Sequence, residues 1–279
     1  MRIAVLMTCF NRRQKTIEAL TSLSVQRSVE HLDVAVILVD DGSQDGTSEA
    51  VAERFPGVTL LRGDGSLFWN GGMRKAFAYA LNIGFDGYLW FNDDTVLDDD
   101  ALSRLIDCAS NVSLSQRPAI IVGSVRDPRS GDRSYGGVTK RPFGLRLDFV
   151  PAVPDERNPV QCDTMNGNFA LIPAAVTRQL GNLDKAFRHQ LGDFDYGLRA
   201  TEAGFPVIVA PGYYGACSDN PRTGTWRDRS APLSRRWRHL LSPKGAPVSE
   251  WLLYTRRHFG WRWPLYALSP YLKTLLSVS

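Results

Sequence analysis

The sequence predicts an α/β protein: a mostly parallel central sheet flanked by helices over residues 1–230, followed by a basic, Trp-rich helical extension over residues 231–279. Three observations predict it. Short apolar runs alternate with stretches of helical period through the first half of the chain, as strand–helix–strand units do. Two of those runs end in acidic clusters, Val34–Val39 in Asp40-Asp41-Gly42-Ser43 and Tyr88–Phe91 in Asn92-Asp93-Asp94. Beyond about Arg235 the pattern changes to short aromatic segments interleaved with Arg and Lys.

Ile3–Met7 is the first expected strand. From Arg13 to Gln26, Ile17, Leu20, Leu23 and Ser24 recur on one face and predict a helix. Strand Val34–Val39 follows, then a helix over Thr47–Arg54, a strand over Val58–Leu61 and a helix over Asn70–Asn82 ended by Gly84. Strand Tyr88–Phe91 leads to Asp98-Asp99-Asp100, whose charges complement the dipole of a helix reaching about Ala109. Ala119–Val125 reads as another strand, and Arg126 to Val160, rich in Gly, Pro and Arg, as a hairpin or mobile loop region. Next come Cys162–Ile172, a helix initiated by Pro173, a helix near Asp193–Ala203 stopped by Gly204, and Val207–Val209, expected to close the sheet.

The acidic clusters carry the chemistry. Ligands of open α/β sheets collect outside the carboxyl ends of the strands. Adjacent carboxylates ionise together only beside a cation or donors, and one or two carboxylates plus substrate phosphates suit a hard divalent cation. Asp93 and Asp94 therefore suggest a metal carrying a nucleotide diphosphate. Asp40-Asp41-Gly42-Ser43 also suits a plain turn into a helix N-cap, and both readings stand at this point.

With 43% hydrophobic and 22% charged residues, the composition is that of a soluble globular protein. No run approaches the roughly 20 apolar residues of a membrane span, and Met1–Leu6 passes straight into a strand pattern, so a cytoplasmic location is expected. Cys9, Cys108, Cys162 and Cys217 fit no CxxC spacing and read as buried small hydrophobes in a reducing compartment. Basic residues match no nucleic-acid-binding pattern, so no nucleic acid partner is expected. The tail, with Trp237, Trp251, Trp261 and Trp263 among its cations, reads as an interfacial anchor on the inner face of a membrane, with core packing and a homodimer interface as the alternatives.

Taken together, Met7-Thr8-Cys9-Phe10-Asn11-Arg12, Val39–Thr47, Trp69-Asn70-Gly71-Gly72, Asn92-Asp93-Asp94 and Gly192–Arg199 resemble the family 2 glycosyltransferases, inverting enzymes of the GT-A fold with a Rossmann-like nucleotide-binding half. The resemblance spans about Arg2 to Asp219. It implies that Thr8, Phe10 and Asp41 hold the base and ribose of a UDP- or dTDP-sugar, within a donor site that includes Asn11 and Arg12. By the same resemblance Asp94 ligates Mg2+ or Mn2+ and Asp93 sits near the ribose or the metal, while the Gly-rich stretch Gly63–Gly72, with Asp64, Trp69 and Asn70, lines the donor sugar pocket or forms a structural turn. Arg62, Arg74 and Lys75 are candidate phosphate partners or a solvated helix face.

By the resemblance Asp193 stands at the family's catalytic-base position, with Asp195 as the neighbouring candidate that can instead pair with Arg199 four residues on. Two departures stand out: Asn92 replaces the usual first acid, and Pro211–Asp219 holds no histidine, leaving Cys217, Asp219 or substrate to complete a metal shell. His189 is left outside the metal set. The acceptor implied is a polyprenol-linked or polysaccharide glycan, and Phe68–Gly72 with Asn92–Asp94 bring rhamnosyl- or galactofuranosyl-type transferases to mind. A sugar-nucleotide nucleotidyltransferase and a non-catalytic sugar-nucleotide-binding protein are the competing readings.

Overall fold

A computed structural model describes residues 1–115, 117–143, 146–220 and 222–276. The first strand, β1 (Arg2–Cys9), is buried from Ile3 onward on both faces, which is why it reads as a continuous apolar run. In order follow α1 (Arg13–Ser24), β2 (Asp33–Asp40), α2 (Thr47–Arg54), β3 (Thr59–Arg62), α3 (Phe68–Ile83), β4 (Gly87–Phe91), β5 (Val96–Leu97), α4 (Ala101–Ser115), β6 (Ile120–Arg126), β7 (Arg133–Tyr135), β8 (Gly137–Phe143) and β9 (Arg146–Pro151). Then come β10 (Val160–Cys162), β11 (Thr164–Met165), β12 (Phe169–Pro173), α5 (Ala174–Leu180), α6 (Gly192–Glu202), β13 (Val207–Ala216), α7 (Leu233–Leu240), α8 (Val248–His258), a 3-10 turn over Gly260–Arg262 and α9 (Trp263–Leu276).

The main sheet runs β10-β13-β6-β12-β4-β1-β2-β3, with β5 paired to β13 and β7 to β6. The expected mostly parallel α/β sheet is present: β1 is parallel to β2 and β4, β2 to β3, and β6 to β13, while β12 and β10 run against their neighbours. Register fixes the site. Cys9 lies opposite Asp40, Asp40 opposite Arg62, and Leu6 opposite Trp90. The segments leaving β1, β2 and β4 therefore emerge side by side, bringing Thr8–Arg12, Asp40-Asp41 and Asn92–Asp94 to one edge.

One expectation is corrected, and the hairpin expected within Arg126–Val160 is present. Val207–Val209 begins a ten-residue strand inside the sheet, between β6 and β10, and β10 is the edge. Arg126–Val160 holds β7, β8 and β9, and the β8–β9 hairpin joins β11 in a second, three-stranded sheet. Cys162–Ile172 is divided among three short strands.

The two faces of the main sheet carry separate apolar clusters, one under α1 and α4 and one under α3, α5 and α6. A third joins Phe187 and Leu198 to Tyr254 and Phe259 of the C-terminal extension. The extension therefore shares its core with α6, the helix that begins with Gly192 and Asp193.

Candidate active site

Thr8, Cys9, Phe10, Arg12, Asp41, Gly65, Phe68, Trp69, Asp93, His189 and Lys244 line one cavity at this strand edge. Asp41, almost fully buried, accepts the Gly65 N–H on Oδ1 and the Phe68 N–H on Oδ2, both at 3.0 Å. The carboxylate thus fixes the loop after β3 and keeps lone pairs for a ligand, having about four acceptor sites in all. Phe10 presents an exposed ring at the mouth. Asn11, Phe68 and Leu191 hold positive φ angles of 50°, 55° and 71°, three of the four non-glycine residues so strained among those described. Such conformations cost roughly 1–3 kcal/mol each and persist where packing over-determines them, commonly at functional sites.

At the end of β4 the residues divide their work. Asn92 Oδ1 accepts the Trp69 indole N–H at 2.7 Å, so the residue standing in place of an acid locks the indole. Arg12 Nη1 lies 3.2 Å from Asp93 Oδ1 and 2.9 Å from Asp94 Oδ2. Burial pushes the Asp93 carboxyl up to about 7, with Arg12 opposing and Asp94 adding to the lift. The other oxygen of Asp93, Oδ2, is buried without a hydrogen-bond partner.

Cys217 Sγ donates to Asp94 Oδ1 at 3.5 Å, and burial, then the Asp94 charge, lifts the thiol to about 12. Asp219 belongs elsewhere: its N–H donates to Asp127 beside a larger, open basin of about 500 Å³ lined by both aspartates with Arg129, Arg133 and Arg222. That basin gathers none of the residues at the ends of β1, β2 and β4, which the smaller cavity brings together.

Asp193 Oδ2 accepts the Gly167 N–H at 3.0 Å and Oδ1 its neighbour's Phe194 N–H at 2.8 Å. Its surroundings enclose it, although a part of the side chain stays accessible, and burial lifts its carboxyl to about 6 against these two hydrogen bonds. Gly167 is the hinge of the arrangement: a Cβ there would stand 2.4 Å from Cζ2 of Trp69, so the indole and Asp193 meet across one glycine. Asp195 is fully buried and bound by Arg199 (2.8 Å), Arg257 (2.6 Å) and His258 (2.9 Å). Burial would raise its carboxyl, but the His258 hydrogen bond and the Arg199 charge hold it below the ordinary range. Its oxygens are held by Arg199 of α6 and by Arg257 and His258 of α8, which makes it a fastening between the two helices, whereas Asp193, itself outside the cavity lining, lies across Gly167 from Trp69, which lines it.

Of the residues expected from sequence, Thr8, Phe10, Arg12, Asp41, Trp69 and Asp93 meet in the cavity. Asn11 lies on the exposed loop beside it, tied to Ser43 and Gln44. Asp64 is exposed and caps Ser66 within its own turn. Asn70 is corrected: it is fully buried, its amide donating to the carbonyls of Asp184 and Phe187, so it anchors the loop ahead of α6 and does not open on the cavity. Lys75 donates to the Arg62 carbonyl on an exposed helix face.

Cys9, Gly65, Phe68, His189 and Lys244 complete the lining. Phe68 and His189 had a signal, standing beside Trp69 and just ahead of Asp193. His189 accepts the Trp69 N–H and is pushed down to about 4 by burial and then Lys244, so it is neutral. Lys244, in the extension, had none.

The model of the glycosyl transferase family 2 matches residues 4–165. The N-acetylglucosaminyl-diphospho-decaprenol L-rhamnosyltransferase of Mycobacterium tuberculosis is 25% identical over 265 residues, spanning 83% of this chain and 80% of that protein. The galactofuranosyltransferase GlfT2 of the same organism is 25% identical over 252 residues, spanning 81% of this chain and 39% of that one. Among solved structures, the mannosyltransferase PcManGT from Pyrobaculum calidifontis, in complex with GDP-Man and Mn2+, is similar with a TM-score of 0.60 at 16% identity, covering 99% of this chain and 72% of its own.

Proposed function

The chain belongs to glycosyl transferase family 2 and is a glycosyltransferase, and from that premise we propose that it moves a sugar from a UDP- or dTDP-sugar, with inversion, onto a polyprenol-linked or polysaccharide acceptor at the inner face of a membrane. The observation that carries this reading is the meeting of Thr8, Phe10, Asp41, Trp69 and Asp93 in one cavity, with Asp193 across Gly167 from the indole.

Phe10 offers a ring for a base to stack on, and the spare lone pairs of Asp41 accept the imide N–H of uracil or thymine. Among the described residues no group of three or more His, Cys, Asp or Glu side chains is placed to hold a metal. Two adjacent carboxylates with one buried, unpartnered oxygen nevertheless fit a cation whose remaining ligands come from the donor diphosphate. Asp94 and Asp93 would hold Mg2+ or Mn2+, which as a Lewis acid offsets the charge of the leaving diphosphate. Arg12, already on both carboxylates, supplies cationic charge at the same place.

Asp193 then takes the proton of the acceptor hydroxyl. A general base works best with a pKa near the operating pH, and a carboxyl lifted to about 6 is a stronger base than an ordinary one while remaining ionised at neutrality. Trp69, locked by Asn92 and set against Gly167, walls the space between donor and base. The decaprenol-linked acceptor named for the rhamnosyltransferase relative supports the lipid-linked class.

Thermal unfolding with UDP, dTDP, GDP and CDP, each with and without Mn2+, tests the reading. A ligand at about 100 times its dissociation constant adds about 2.7 kcal/mol of apparent stability, roughly 5–10 °C for a chain of this size. UDP or dTDP should raise the midpoint, and more so with Mn2+. A shift with GDP alone, or none with any nucleotide, would overturn the donor assignment.

A further inference from the structure

A helix on the surface of a globular protein normally turns its apolar stripe inward. In α9 the stripe faces out. Trp261, just ahead of it, and Leu265, Leu268, Leu272, Leu275 and Leu276 recur at helical spacing within about a third of the circumference, and each is between 46% and 82% exposed. The inward side is aromatic: Trp263 and Tyr266 pack against the cluster of Phe187, Leu198, Tyr254 and Phe259. Pro270 and Thr274 are buried there. Tyr271 donates to the Ala246 carbonyl at 2.8 Å and stacks on Trp237, and the Trp251 indole donates to the Tyr266 carbonyl at 2.9 Å. The helix is therefore docked on the body through hydrogen bonds and aromatic rings, with its leucines directed away from the protein.

Charge selects the occupant of this face. Residues 231–279 carry eight Lys and Arg against a single acid, Glu250, which is buried and paired with Arg188 at 2.7 Å. Arg235, Arg238, Lys244 and Arg256 are exposed, and Arg262 lies 4.9 Å over the Trp261 ring at the edge of the stripe. A second copy of this chain would bring like charge against like charge, whereas an anionic lipid surface complements both the leucines and the cations. No described helix is long and apolar enough to cross a membrane, and α9 has 14 residues against the roughly 20 a span requires.

We propose that α9 lies flat in the interface of an anionic membrane, with Trp261 and the leucine stripe inserted among the acyl chains and the surrounding cations on the headgroups. Because α8 joins α9 to the buried Asp195 and Lys244 lines the cavity, this insertion fixes the orientation of the active site relative to the lipid surface. The inference deepens the reading of a membrane-borne acceptor and rests on it for its purpose, but its test reads binding and not transfer.

The full chain is floated with vesicles of phosphatidylcholine alone and with about 30 mol % phosphatidylglycerol. Its partner variant combines Leu268→Ser, Leu272→Ser and Leu275→Ser, with urea midpoints confirming that both are folded. The wild type should partition at least about tenfold more onto the anionic vesicles and be released at about 0.5 M salt, with a blue shift of Trp emission on binding, and the triple variant should lose at least about tenfold. Wild type left unbound by anionic vesicles, or a triple variant that binds equally well, would overturn the proposal. So would a vesicle-indifferent dimer in sedimentation that the triple variant converts to monomer, which would assign the stripe to a second copy. Transfer to a short water-soluble acceptor checks the catalytic reading separately, since it needs no membrane.

Discussion

Asp193→Asn should give a protein that is more stable at pH 8 and much slower in transfer. Burial lifts the carboxyl from its ordinary 3.8 to about 6, and each pH unit of lift corresponds to about 1.4 kcal/mol. The folded chain thus holds the proton more tightly than the unfolded chain does. The resulting stability is fully present below about pH 4 and is lost as pH rises through about 6, so the ionised carboxylate costs about 3 kcal/mol at pH 8. Asparagine avoids that cost at every pH. It has only one acceptor oxygen, however, for the N–H groups of Gly167 and Phe194, and losing one of those bonds takes back about 1 kcal/mol.

The variant should therefore exceed the wild type by about 2 kcal/mol at pH 8, and roughly half of the pH-dependent difference should disappear by pH 5. Urea denaturation of both proteins at pH 5 and 8 measures it. A difference independent of pH, or one that turns against the variant as pH rises, would refute the buried-base reasoning. Removal of a general base should lower transfer by about 10²–10⁴-fold, and the wild-type rate should climb with pH to a plateau above about 6.

Asp195→Asn should behave in the opposite way. It leaves Arg199, Arg257 and His258 without their shared counter-charge and should cost about 3–5 kcal/mol at neutral pH by urea denaturation. Because the native carboxyl is held below its ordinary value, the wild type loses this stability as pH falls through the carboxylate range, so the two proteins should converge in acid. Gly192→Ala places a Cβ 1.8 Å from Oδ1 of Asn70 at the start of the helix that presents Asp193. It should cost about 1–3 kcal/mol, and a double-mutant cycle with Asn70→Ala should be non-additive if that contact is the cause.

The chain's local signals were enough for its left half. Buried parallel strands need apolar runs, and runs such as Val34–Val39 and Tyr88–Phe91 are visible because burial on both faces leaves no polar alternation. Their ends are visible because turns and caps require Asp, Gly, Ser and Asn, so Asp41, Asp93 and Asp94 stand out before any contact is known. The Asp195–Arg199 pair is equally local, four residues apart on one helix. The limits were set by sequence distance. Between β6 and β10, β13 is placed by partners far along the chain, and no property of Val207–Val209 distinguishes an interior strand from the last one.

Asn70 looked like a ligand residue because a polar side chain in a Gly-rich stretch suits one, yet its partners lie more than 100 residues away. Lys244 joins the cavity, and Arg257 and His258 reach Asp195, through the same long-range docking of the extension. Composition established that the tail is basic and rich in aromatics and leucine. Which of those side chains form the core was decided by the tertiary structure, because a helix carries one sequence but two faces: Tyr254 and Phe259 found partners, and the leucines of α9 did not.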